Sequence, residues 1–342
     1  MALASSPLLP SRLPPSHIPN AIGVVGLGIM GSAIASHLID AGHAVVGFDV
    51  RANRRRALRK TGVIAAVTCR DVGQQASIVI TSLPSADALM LTVAELGKAP
   101  RRPRIVIETS TLPIEVKERA RSRLDACGVV LLDCPISGTG AQARARDIVV
   151  YASGSRAAYR RVAPVLSVVA RAHYFVGPFG AGSRMKFVAN LLVAIHNLAA
   201  AEALVLGMKA GLDGAQVLRL VGEGAGSSRI LQLRGPMMVK ARYRPPTMTL
   251  ANFEKDLAII AAFARKVGVR TPLFSAAASI YAAATRKNPS FDTAAVFAVL
   301  EKMAGISAHS RRTAERRGRS TAHVDRGTNQ QHRRVRHGSR NV

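Results

Sequence analysis

The hexapeptide Gly26-Leu27-Gly28-Ile29-Met30-Gly31 constrains what this chain can fold into more than any other stretch. It follows the apolar run Ala21-Ile22-Gly23-Val24-Val25 and opens a segment in which Ala33, Ile34, Leu38 and Ala41 recur at helical spacing. The order predicted is strand, tight glycine turn, helix. Gly26 suits the turn, Gly28 lets backbone approach a pyrophosphate, and Gly31 lets the helix pack close to the strand. Leu27, Ile29 and Met30 complete the cradle, and the helix N-terminus presents free N–H groups and a positive dipole end to a diphosphate. A second apolar run, Ala44-Val45-Val46-Gly47-Phe48, ends at Asp49, eighteen residues past Gly31. A carboxylate there takes both ribose hydroxyls of NAD and repels the 2′-phosphate of NADP. Arg51, Arg54, Arg55 and Arg56 follow closely enough to hold such a phosphate, so NAD is the first choice of cofactor and NADP the alternative.

The chain of 342 residues has room for one large or two ordinary domains, and 48 % hydrophobic residues suffice for their cores. No uninterrupted apolar run reaches the roughly 18 to 20 residues that span a bilayer, so a soluble protein without a membrane partner is expected. Three cysteines, Cys69, Cys127 and Cys134, lack C-x-x-C spacing and suggest reduced thiols in a cytoplasmic protein. The formal net charge of +28 first suggests nucleic acid. Its distribution argues otherwise. Ten arginines against Glu315 and Asp325 crowd into residues 307–342, and aromatics make up only 4 % of the chain, too few for base-stacking platforms. Nucleic-acid binding is thereby reduced to non-specific contacts of that tail.

Four regions follow from composition and period. Residues 1–20 are rich in proline and serine, lack the apolar core of a secretory signal and read as a disordered extension. Residues 21–178 alternate short β-branched runs (77–81, 104–107, 129–132, 148–151) with helical stretches such as Ile114 to Asp125, as a doubly wound parallel α/β sheet of Rossmann type requires. Residues 179–306 carry helical patterns without strand-like alternation and are expected to be all-α. Their first element, from Ala181 to about Ala210, is apolar nearly all round, which marks a helix buried in protein. Residues 307–342 cannot bury a core and read as a basic disordered tail.

Two stretches carry chemistry. Asp133-Cys134-Pro135-Ile136-Ser137-Gly138 leaves a strand for a loop in which the Ser137 hydroxyl and the backbone at Gly138 can hold an anion. Gly180-Ala181-Gly182-Ser183-Arg184-Met185-Lys186 begins the long helix, and Asn190 shares a face with Lys186 at i, i+4. A lysine in so apolar a helix is costly to bury without purpose. The nine histidines show no paired metal-ligand spacing, so no metal is expected, and no G-x-S-x-G elbow occurs.

In these motifs the chain resembles the β-hydroxyacid dehydrogenase family over residues 21–306. The marks are the glycine turn with Met30 and Gly31, the Asp133 to Gly138 stretch, Gly180-x-Gly182-x-x-x-Lys186-x-x-x-Asn190, and Lys255-Asp256. The resemblance implies that Lys186 is the catalytic lysine, that Ser137, Gly138, Thr139 and Asn190 hold the substrate, and that Leu83, Pro84, Thr111 and Lys255 contact the cofactor. It also implies a second domain of the 6-phosphogluconate dehydrogenase C-terminal type and homodimers or homotetramers. Thr139 stands where a second glycine is usual, Cys134 where alanine is, and Ala189 where asparagine often precedes Asn190.

The expected reaction transfers a hydride between a nicotinamide cofactor and a small 3-hydroxy acid of the 3-hydroxyisobutyrate kind. Lys186 serves as general acid and base. An ordinary lysine has a pKa near ~10.4, so its charged form must be disfavoured by desolvation or by a nearby cation such as Lys255. The alternatives are reduction of glyoxylate, tartronate semialdehyde or another small oxo acid, an imine reductase on the same scaffold, a nucleotide-binding regulator without turnover, and a nucleic-acid binder acting through the basic tail.

Overall fold

The β-branched runs pair as the sequence leads one to expect. The structure, a computed structural model, describes residues 20–306. The expected basic tail and all but the last residue of the expected N-terminal extension lie outside the described residues. Contacts divide the chain into two compact units between Lys186 and Phe187.

The first unit runs β1 (Ile22–Val25), α1 (Ile29–Asp40), β2 (Val45–Phe48), α2 (Ala52–Arg59), β3 (Ile64–Ala65), α3 (Cys69–Gln75), β4 (Ile78–Thr81), α4 (Ala86–Gly97), β5 (Ile105–Glu108), α5 (Ile114–Asp125), β6 (Val130–Asp133), β7 (Ile136–Ser137), α6 (Gly140–Arg144), β8 (Val149–Ser153), α7 (Arg156–Val169) and β9 (Ala172–Gly177). The strands lie in the order β3-β2-β1-β4-β5-β6-β8-β7, with β9 beside β8. Ile22 stands opposite both Val45 and Ile78, so β1 is flanked by β2 and β4. The chain winds away from β1 in both directions, and a crevice opens where the order reverses. The glycine turn sits at that point. One face of the sheet buries Ile34, Leu38, Val162 and Leu166, the other Val72, Leu89, Val93 and Leu124. Helices thus cover both sides, as a parallel sheet needs.

In one respect the sheet departs from the expected parallel pattern. β8 runs antiparallel to β6 and β7, because the intervening chain holds only the five-residue α6 and folds back beside itself.

The second unit begins inside α8 (Ala181–Lys209) and continues with α9 (Gly214–Glu223), α10 (Arg229–Val239), α11 (Leu250–Lys266), α12 (Pro272–Lys287) and a 3-10 turn (Thr293–Ala295) that runs into α13 (Val296–Met303). Asp213, Ser228 and Thr249 each accept the backbone N–H that starts α9, α10 and α11. Asn197 on α8 donates to the Tyr281 hydroxyl (2.7 Å) and to the Thr293 carbonyl (3.0 Å), and Tyr281 packs on Phe253.

α8 differs from a rod buried all round. It is long and apolar enough, by length and composition, to cross a membrane. Yet Asn190 and Asn197 are buried with hydrogen-bond partners inside the second unit, the pattern of a helix packed in protein. Met185, Val188, Leu192 and Leu206 remain exposed on it, Val188 to 55 % and Leu206 to 72 %.

Candidate active site

In the first unit, five loops that leave β1, β2, β4, β5 and β6 at their carboxyl ends carry most of the expected site residues. At the first loop a Cβ on Gly31 would collide with the Gly26 carbonyl, and one on Gly26 with the Ser82 carbonyl. Gly26 also has φ +89°, a conformation open to glycine. The turn is therefore fitted against the β4 loop that holds Leu83 and Pro84. No side chain caps the start of α1, and no acidic residue lies in its first turn, so this end suits a diphosphate.

Asp49 is buried at the end of β2. Its carboxylate accepts from the Leu27 N–H (2.9 Å), the Arg51 N–H (2.8 Å) and the Arg54 guanidinium (3.1 Å). It thus holds the glycine turn in shape, and Arg54 stands over Gly28. Arg55 donates to the Asp49 carbonyl. A carboxylate for ribose and guanidinium groups for a 2′-phosphate sit together, which fits a nicotinamide dinucleotide of either kind.

The β4 and β5 loops are joined: the Leu83 N–H donates to Ser110 Oγ (2.8 Å), one residue before Thr111. The loop after β6 is packed on the glycine turn, with the Ile29 side chain against Gly140 and His37 of α1 bonded to the Ala143 carbonyl (2.8 Å). Ser137 and Gly138 are half-buried within it. Thr139 has another task as well. Its hydroxyl oxygen accepts the Gln142 N–H while Gln142 returns a bond to the Thr139 N–H, so it caps α6.

Lys186, 7 % exposed, lies one turn into α8. That first turn is fastened to the sheet: Gly182 N–H donates to Ser153 Oγ (2.9 Å), and Ser183 gives its N–H and its hydroxyl to the two Asp133 carboxylate oxygens (2.8 Å each). A Cβ on Gly182 would strike the Tyr151 carbonyl. The opening turns of α8 are thus grouped with the sheet, which is why the compact units divide between Lys186 and Phe187.

In the second unit, Asn190 donates its amide to Asp256 (3.1 Å), whose other oxygen pairs with Lys255 (3.3 Å). A carboxylate meets only the amino end of an amide, so the carbonyl end of Asn190 points elsewhere. Asp256 is thus a hydrogen-bond partner of an expected site residue, and the sequence alone assigned it no role.

A second group went unread in the sequence. Glu108, Lys117 and Asp133 are fully buried, with Lys117 Nζ 2.6 Å from Glu108 and 2.8 Å from Asp133. Burial alone would lower the Lys117 pKa, but the two carboxylates outweigh it and raise the value, so the ammonium stays charged. The signal was available: Lys117 stands three residues after Ile114 and three before Ala120 on the buried face of α5. The three cysteines are free thiols, and burial pushes Cys69 up to about 11. Among the described residues no cluster of metal-ligating side chains occurs.

A family model for the NAD-binding domain of 6-phosphogluconate dehydrogenase matches residues 21–177, and one for the NAD-binding part of NADP-dependent 3-hydroxyisobutyrate dehydrogenase matches residues 180–300. The L-threonate dehydrogenase of Cupriavidus necator is 31 % identical over 264 residues, covering 76 % of this chain and 89 % of that protein. The solved 3-hydroxyisobutyrate dehydrogenase of Mycobacterium tuberculosis with L-serine is 27 % identical, with a TM-score of 0.76 over 83 % of this chain and 99 % of that one. An imine reductase of Streptomyces aurantiacus, 21 % identical with a TM-score of 0.56 over 82 % of this chain and 99 % of that one, shares the fold. With the glycine turn, the Asp133–Gly138 loop and the lysine of α8 in place, the chain belongs to the β-hydroxyacid dehydrogenase family.

Proposed function

We propose that the protein oxidises a small 3-hydroxy acid, of the 3-hydroxyisobutyrate or threonate kind, with NAD or NADP, and runs the reverse reduction of the matching oxo acid. The observation that carries the reading is the convergence within one unit of the uncapped glycine turn, the Ser137–Gly138 loop packed on it, and a nearly buried lysine on a helix fastened to the same sheet.

Residues Gly26 to Gly31, Asp49, Leu83, Pro84 and Thr111 would hold the cofactor, whose nicotinamide would supply the hydride acceptor, and the family resemblance assigns Lys255 to the cofactor as well. Ser137 Oγ and the Gly138 N–H take the substrate carboxylate, with Thr139 at the edge of the same loop. Lys186 Nζ, neutral, accepts the hydroxyl proton as the hydride leaves the same carbon; in reverse, the ammonium returns it. Asn190, its amide orientation set by Asp256, steadies the substrate hydroxyl and the amine.

The exposed residues Met185, Val188, Leu192 and Leu206 of α8 recur at spacings of three, four and fourteen, which lie along one helical stripe. They support pairing with a second copy, hence a homodimer or homotetramer. A cytoplasmic location accords with free thiols. The test is a set of initial rates of NAD and NADP reduction with 3-hydroxyisobutyrate, threonate, glycerate and 3-hydroxypropionate. Saturable reduction with at least one is expected; none with any would overturn the proposal.

A further inference from the structure

Three ionised groups buried without exposure do not make the most stable way to pin a helix. Well-packed apolar residues of similar volume often do as well or better. The position of this trio suggests another use. Asp133 stands at the N-terminus of α8, where it takes the Ser183 N–H and hydroxyl while its side chain also pairs with Lys117. Ser153 closes the arrangement: its hydroxyl donates to Asp133 and accepts the Gly182 N–H. On the other side, Glu108 pairs with Lys117 and accepts the Ser110 N–H (2.9 Å), and Ser110 Oγ accepts from Leu83. One connected network therefore runs from the loop after β4, through the ends of β5 and β6, to the turn that bears Lys186.

We propose that Asp133, held by Lys117 and acting through Ser183, is a positioning residue that fixes the first turn of α8, and with it the Lys186 amine, relative to the loops at the strand ends. Lys117, 2.8 Å away, holds the Asp133 carboxylate correctly turned. Asp133 in turn locks two donors of the turn, and a lysine three residues later on that turn loses the freedom to swing with the helix end. An error of about 1 Å in such a group is enough to cost on the order of a hundredfold in rate. The inference rests on the role of Lys186 proposed above.

The test compares Asp133→Asn, Ser183→Ala and Ser183→Thr in the full chain. Asp133→Asn is expected to lower kcat by on the order of tenfold to a hundredfold while KM and the cofactor Kd change by less than about threefold. Amide exchange of residues 182–186 should quicken while that of β1 and β4 does not. Ser183→Ala gives the same split to a smaller extent, and Ser183→Thr, which keeps the hydroxyl, restores kcat. If Asp133→Asn fails to fold, Ser183→Ala decides. Retention of kcat with loosened exchange, unchanged exchange, or a fall of kcat and cofactor binding together overturns the inference. If the wild-type chain reduces neither cofactor with any hydroxy acid, the proposed reaction falls, and exchange alone then judges the clamp.

Discussion

In the sheet unit the buried ions Glu108, Lys117 and Asp133 connect outward to Leu83, Ser110 and the start of α8. In the helical unit the buried pair Arg234 and Asp292, 3.5 Å apart, connects to Thr247, Met248 and Ala294. Both groups bury charge with paired partners. Only the first ends on residues expected to touch cofactor or substrate. The second ties the chain before α11 to the 3-10 turn before α13, where it organises helix ends. Buried charge by itself does not mark a site; the residues on which its hydrogen bonds terminate do.

The largest effect that sharpens this contrast is on chemistry. Lys186→Ala should lower turnover by on the order of 10²-fold or more with cofactor affinity kept; near-normal kcat would break the assignment of the sheet unit as the catalytic one. Next comes Lys117→Met, which leaves Glu108 and Asp133 facing each other and should cost about 3–5 kcal/mol in denaturant unfolding. The added change Glu108→Gln should recover part of that loss. Because the Lys117 pKa is raised on folding, its stabilisation is complete below the unfolded value of about 10.4 and fades as pH rises through the folded one.

Asp292→Asn should also destabilise, by about 3 kcal/mol, but leave the kcat of the folded fraction unchanged. Here the sign of the pH dependence reverses. Burial alone would raise the Asp292 pKa, yet Arg234, followed by the donors of Ala294 and Thr247, brings it below the ordinary range. Its contribution is present above the unfolded value of about 3.9 and is lost as pH falls through the folded one. Acid unfolding followed by a probe in the helical unit should therefore show a stabilising carboxylate that Asp292→Asn removes. The smallest effect concerns cofactor choice: Asp49→Ala should shift the ratio of kcat/KM for NAD over NADP towards NADP by about tenfold. An unchanged ratio would leave Asp49 with the single task of holding Leu27 and Arg54.

Much of this was legible in the residues. The β-branched runs announced β1, β2, β4, β5, β6 and β8, and Pro113 preceded α5 where the helix indeed begins. Other elements left weak traces. β3 and β7 are two residues each, too short to show a period. β9, at the sheet edge, is only half-buried and so lacks a continuous apolar run. α10 contains Gly235 and Pro236, which break the helical pattern a reader would look for. The glycine turn and Asp49 were readable because their spacing is fixed by local geometry. The trio Glu108, Lys117 and Asp133 was not, since its members come from α5 and the ends of two strands and meet only once the sheet has formed. The exposed stripe of α8 was hidden for a different reason: composition reports how apolar a helix is, not which side a single chain covers.

In the proposed reaction hydrogen leaves the hydroxyl-bearing carbon of a hydroxy acid for the nicotinamide ring. The most direct measurement supplies 3-hydroxyisobutyrate carrying deuterium at that carbon, with NAD or NADP, and weighs the reduced cofactor by mass spectrometry. One deuterium gained by the cofactor is expected in the wild-type protein and almost none within the same time in Lys186→Ala. Reduced cofactor without the label, or labelling unaffected by loss of the lysine, would contradict it.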